Sequence, residues 1–549
     1  RAVAAFEGML PADAHLAASW PDDEALQARL RELAQRREVC AVVGSGAMVR
    51  HCRTIRDAIL GPHAIVRGAD RLENVTISST AEQPALIGEG ADLSDGVASP
   101  GCRIVQGVKA ERFALGENVS LLRGARVAHV AVGDNSTIAC CEVLHSLLLP
   151  AHEQHHNNSF LIAATVLGQS NVAAGATLGS NHNSRAPDGE LLAGRGFWPG
   201  LCVSVKHCCR FASYTLLAKG DYPAELDVPL PFSLLNHNAA ADRLEVLPAY
   251  WWMYNLYALA RNAWKYAARD RRVRKRQHIE TDPLAPDTAE EIFAALALLE
   301  KWIGAAAARA AGRSVQGVSD AALAEEGRKL LSADPAAAGK LDVQADGVEN
   351  SRRAVVVLKA AHAHAAYRQM LHHYAMKNLL AWMADNPRAR LADMTSALAG
   401  PRQTRWVNLG GQLLPGDDAD ALRADFAAGR LADWSAVHAR YNELWARYEL
   451  DKRRHACATL CALLGVEKLS VSLWGAALDE ALCLQRHVAE QVRASRAKDF
   501  ENPFRRITFA RDAERQAVLG ELDSDPFLRQ VQRDTEATAA VVAEVRSRG

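Results

Sequence analysis

VLGQSNVAAGATLGSN, residues 166–181, places an aliphatic side chain at Val166, Val172 and Leu178, each six residues after the last. The same interval separates Leu60, Val66 and Leu72, then Leu115 and Leu121, then Val132 and Ile138. Glycines follow closely at Gly61, Gly116, Gly133, Gly168 and Gly179, and four residues past an aliphatic stands Val119, Ser136 or Ala176. A period of six fits neither a helix (3.6) nor a flat strand (2). It fits a strand that turns a corner: one aliphatic points into a narrow core, a small residue fits beside it, and Gly or Asn makes the turn. Three such sides close a coil of about 18 residues, and Ile55 to Ser184 then holds roughly seven stacked coils. The expected fold is a left-handed parallel β-helix of hexapeptide repeats followed by a large helical domain.

Working outward, residues 1–50 read as a helical lead-in, with Leu26, Leu30 and Leu33 at helical spacing behind Asp22, Asp23 and Glu24. Residues 51–246 are the β-helix with loop insertions. Past Ser184 its period loosens into a turn at Pro187-Asp188-Gly189 and a tight loop at GRGFWPG (194–200), with further strands expected between Leu201 and Leu217. Residues 247–549 read as helical. Thr288 to Glu291 has the form of a capping box, a long helix is expected from about Arg353 to Asn386-Pro387, and another from about His438 to Leu464 stops before Gly465.

Composition narrows the function classes. Lys plus Arg and Asp plus Glu are equal at 64 each, so no bulk field favours nucleic acid or an anionic membrane. The best apolar run, Leu247 to Ala260, is 14 residues and too short for a bilayer. No secretory series opens the sequence, and eleven cysteines form no pair of CxxC knuckles. A reduced, cytoplasmic protein is expected, without nucleic-acid or membrane partners.

Five blocks go further: HEQHHNNSFLIA (152–163), GSNHNSR (179–185), GRGFWPGLC (194–202), LLAKGDYPAEL (216–226) and PAYWWMYNLYALARNAWK (248–265). Together they resemble an uncharacterised bacterial family, a large domain of unknown function within the trimeric hexapeptide-repeat superfamily. The resemblance implies the left-handed β-helix and a homotrimer, and assigns no catalytic residue. More broadly the β-helix looks like that of acyltransferases and of gamma-class carbonic anhydrases, and fold alone does not choose between them.

Histidine is the most unevenly placed residue. Six of 19 (His145, His152, His155, His156, His182 and His207) fall between residues 145 and 207, among several asparagines. In one reading His182 or His156 is the general base of an acyl transfer from acyl-coenzyme A to a small polar acceptor, such as a sugar or nucleotide sugar. Asn183 assists, Asn157, Asn158, Asn181, Arg185 and Trp198 hold substrate, and Lys206 and Lys219 meet phosphate. In a second, His152, His156 and His182 bind a divalent metal for a lyase or hydrolase of the carbonic-anhydrase type. In a third these side chains are corner and loop residues satisfied by backbone, or an oligomer interface, and the protein is a non-catalytic scaffold. The aromatic run Tyr250, Trp251, Trp252, Tyr254 and Tyr257 reads as a helix clamping the β-helix, with sugar stacking the alternative. The basic run Lys265 to Arg276 reads as a solvated helix end that could also hold phosphate. His372 and His373 read as a pair on a partly exposed helix.

Overall fold

The computed structural model describes residues 5–33, 41–180 and 189–548. Eleven parallel rungs follow one another through a 15-stranded sheet, from Val42–Val43 to Asp221–Tyr222, with a seven-stranded sheet alongside. Every quoted aliphatic at the six-residue interval points inward: Leu60, Val66, Leu72, Leu115, Leu121, Val132, Ile138, Val166, Val172 and Leu178 are all buried. The chain is a parallel β-solenoid with a helical half.

The coil is 17 residues long rather than 18: Thr54 pairs with Arg71, Lys109 with Arg126, and Ser204 with Asp221. One side is short by a residue because its corner lies inside a seven-residue strand. Arg71–Ile77 bends at Asn74 (φ 52°), so Leu72 and Ile77, both inward, are only five apart. The same left-handed bend falls at Arg112, His129 and His145. The segment read as seven coils holds eight rungs, and the other three come from residues 42–50 and from the stretch after Gly189, where the period is hidden because insertions lengthen one coil (Thr177 pairs with Ser204).

Gly168 and Gly179 do adopt positive φ, but Gly61, Gly116 and Gly133 serve a different purpose from the one the pattern suggests. Gly133 does not make its corner; Asn135 does, at φ 56°. A Cβ on Gly133 would lie 2.4 Å from the backbone nitrogen of Pro150 on the next rung, so the glycine admits close stacking.

At its C-terminal end the solenoid is closed. Leu234–Asn238 turns back antiparallel onto Arg243–Leu247, which then takes Ala354–Val357 as a parallel neighbour. This strand occupies the expected start of the long helix, which begins instead at Ala360 and runs to Asp385. Its Tyr367, Met370, Leu371 and Tyr374 share one continuous apolar core with the solenoid. The helices Pro286–Ala310, Trp434–Leu464 and Val471–Glu501 pack around it. Trp251 is buried 5.7 Å from Trp198, the clamp expected of the aromatic run. His372 is buried as well, contrary to the expected exposed face, and His373 lies 5.5 Å from Trp252.

At the opposite end nothing among the described residues covers the first coil. Val43, Val49 and Ile55, again six apart and inward-facing, are 63%, 42% and 37% exposed.

Candidate functional site

The solenoid distributes the histidine-rich stretch over three corners. His152 lies inside one of them, fully buried, with Nδ1 2.8 Å from Ser170 Oγ and Nε2 3.2 Å from Gln154 Oε1. Its backbone N–H donates to Ser136 Oγ, and Gln154 Nε2 donates to Ser159 Oγ, so one polar chain crosses successive rungs. Burial lowers the His152 pKa to about 4 and keeps the ring neutral. To ligate a metal it would have to surrender one of those two contacts.

His156, Asn157 and Asn158 occupy the next corner and are exposed, with Asn158 making the bend at φ 62°. The His156 ring lies 4.4 Å from that of His155, whose Nδ1 is 3.1 Å from Glu153 Oε2. A carboxylate thus orients one imidazole, which rests against a second that faces solvent. Gly175 on the next rung donates its N–H to the Asn157 carbonyl, which ties the backbone of this corner in place.

On the third corner Arg112, His129 and His145 stack one above another. The two imidazoles are 4.6 Å apart and nearly parallel, and Arg112 Nη1 is 3.5 Å from His129 Nε2. Partial burial, then the neighbouring His145 and Arg112, lower the His129 pKa. Neither Arg112 nor His129 stood out in the sequence; their spacing by one coil is the signal that would have found them.

Other expected site residues are scattered. Trp198 packs against Trp251, Lys206 pairs with Glu225, and Lys219 is exposed. His207 accepts a hydrogen bond from the Gly189 N–H through Nδ1. Asn181, His182, Asn183 and Arg185 lie outside the described residues. Among the described residues no group of three or more His, Cys, Asp or Glu side chains is arranged to hold a metal ion, and no helix is long and apolar enough to cross a membrane.

The densest polar cluster lies elsewhere, where residues 270–291 run along a solenoid corner. Rung by rung the corner offers a partner. Glu117 meets Arg276, Asp134 meets Arg272, and Gln169 donates to the Glu280 carbonyl. Ser213 then donates its N–H and hydroxyl to Glu291. Arg195, 1% exposed, grips Asp287 with Nε and Nη2, each at 2.8 Å, and donates Nη1 to the Asp282 carbonyl. The basic run expected at a solvated helix end is therefore partly a strap: Arg272 is buried between Asp134 and Asp270. The following helix begins at Pro286, not at Thr288. The Thr288 hydroxyl caps Ala285 N–H at 3.0 Å, and Glu291 is left to serve the solenoid.

Helices close over this strap with matching charge. Glu280 accepts from Tyr448 (2.6 Å) and Lys452 (2.7 Å), and Asp282 from Lys377. Glu290 lies 2.8 Å from His455 Nε2 and accepts from Arg402, while the other His455 nitrogen is 2.8 Å from the Tyr374 hydroxyl. Glu280, Asp282, Asp287 and Glu290 are each matched by a cation, the condition for burying charge without large loss. That pairing suits a structural joint more than a reacting centre.

The first 302 residues match the family described as Domain of unknown function (DUF4954). This chain belongs to that family. The match takes in the solenoid, the strap and the first two thirds of the helix that the strap enters. A protein of Treponema pallidum (strain Nichols), described only as uncharacterized, is 42% identical over 548 residues, spanning 99% of this chain and 74% of that protein. The likeness therefore extends through the helical half as well.

Proposed function

We propose that the protein is a member of the trimeric hexapeptide-repeat superfamily. It transfers an acyl group from acyl-coenzyme A to a hydroxyl or amine of a small polar acceptor, such as a sugar or nucleotide sugar. The observation that supports this is the exposed corner at Glu153–Asn158. There Glu153 orients His155, and His156 stands beside it in solvent with two carboxamides next in sequence. In its unprotonated form His156 takes the acceptor's proton, and the freed oxygen or nitrogen attacks the thioester carbonyl. The new C–O or C–N bond forms, the C–S bond breaks, and the departing thiolate receives the proton back from His156. Asn157 or Asn158 stabilises the oxyanion by donating an N–H. The ten described cysteines are all free thiols, three of them exposed, which supports a reducing cytoplasmic setting.

The test is release of free coenzyme A from acetyl-coenzyme A with a panel of sugars and nucleotide sugars, together with thermal shift and the mass of the assembly in solution. His156→Ala should lower turnover about 10²–10⁴-fold with an unchanged melting temperature, as its ring is exposed. No thermal shift and no thiol release in the native protein would refute acyl transfer. A fully active His156→Ala would remove His156 as base, and a monomer would refute the trimer.

A further inference from the structure

A cavity of about 550 Å³ lies in the helical half, between the Leu391–Ala397 helix with its following loop and the C-terminal turns of the Trp434–Leu464 helix. That volume is within the range of small-molecule sites. Its lining divides by chemistry. Leu398, Ala458, Ala462, Val466 and Leu469 supply apolar wall, and Thr395 and Ser396 supply hydroxyls. Glu467 and Lys468, adjacent in sequence and both exposed, balance one another at the mouth. Arg402, whose charge is shared with Glu290, is then the wall residue with cationic hydrogen-bond donors to offer a ligand.

Arg402 is held rigidly. Nη1 binds both carboxylate oxygens of Glu290, at 2.8 and 2.9 Å, and the guanidinium lies 3.8 Å over the Phe293 ring. Glu290 is itself fixed from behind by His455. Among the described residues nothing else partners Arg402, so Nε and Nη2 remain as donors on a planar fork that is 25% exposed beside the cavity. Such a fork matches the paired oxygens of a carboxylate or phosphate. Cys457 and Cys461 also line the wall. Burial pushes the Cys457 thiol up to about 12, which leaves it a packing group and not a nucleophile.

We infer that this cavity binds a small molecule with one anionic head, carboxylate or phosphate, on an apolar body, with Arg402 receiving the head. The site is separate from the Glu153–Asn158 corner, and binding here stands or falls independently of acyl transfer.

Cys461 gives the cavity its own reporter. Alkylation by iodoacetamide, resolved by mass spectrometry, is followed at Cys461 and at the exposed Cys202, Cys208 and Cys483. Phenyl phosphate or phenylacetate should slow alkylation of Cys461 several-fold and leave the other three unchanged. Benzyl alcohol, the neutral analogue, should not. Arg402→Met should abolish protection. Because that change also strips Glu290 of its partner, Lys468→Ala serves as the variant that leaves the fold intact, and should weaken protection only modestly. Equal alkylation of Cys461 with and without both anions in the native protein would overturn the proposal, as would equal protection by benzyl alcohol.

Discussion

Arg195→Met should be among the most damaging single changes in the molecule. Arg195 sits on a solenoid corner and Asp287 opens the first long helix, so their side-on pair ties the two halves directly. Methionine fills similar volume but leaves the Asp287 carboxylate without its cation and the Asp282 carbonyl without its donor. Breaking a buried pair from one side costs about 3–5 kcal/mol. Removing both charges avoids the orphan, so Arg195→Met with Asp287→Leu should recover more than half of that loss. Urea unfolding followed by helical circular dichroism, run on the native protein, both single variants and the double, closes the cycle. Hydrogen exchange should rise first in residues 280–291 of the single variants. A cost below about 1 kcal/mol for Arg195→Met, or a double variant as weak as the single, would refute the view that this pair anchors the joint.

Position in the stack should set the cost of a core truncation. Leu121→Ala, in a closed coil, should lose about 2–5 kcal/mol, whereas Val49→Ala, at the uncovered end, should lose under about 1 kcal/mol; denaturant titration separates them. Two groups should give opposite pH slopes. Burial, reinforced by Asp287, raises Glu291 from 4.5 to about 7, so the folded state holds its proton longer than the unfolded chain. Its contribution is full below about pH 4.5 and is lost as pH rises to about 7, and Glu291→Gln should flatten that slope in melting curves. Burial lowers His152 from 6.5 to about 4, so its contribution is complete above about pH 6.5 and is lost as pH falls toward 4. His152→Gln should remove that acid-side loss, and an unchanged slope would refute the buried neutral ring.

The solenoid was legible because its physics is local. Each inward aliphatic is decided by its own six-residue side, and Leu60, Val66 and Leu72 announce the period without reference to anything distant. What was not legible depends on contacts far apart in the chain. Arg195 and Asp287 are separated by 92 residues, and Arg276 reaches Glu117 across 159. Glu117 and Asp134 carry no signal of their own in the repeat; only the strap lying on them gives them a cationic partner. Thr288 satisfies a capping-box pattern, yet Pro286 is free to begin the helix earlier because proline is well tolerated at the first helical position. The Glu153–Asn158 corner was visible in outline, since it is contiguous, although its separation from His152 was not.

That separation follows from the coil itself. Consecutive residues round a triangular solenoid face different directions, so a cluster in sequence is dispersed in space. Residues one coil apart are brought into contact instead. His152 and His156 are four apart and meet different surroundings, one sealed by Ser170 and Gln154, the other open. Arg112, His129 and His145 are 17 and 16 apart and touch. In a chain of this architecture, side chains able to act together recur at the coil length, and the corner carrying these three is found by that interval even though no short motif marks it.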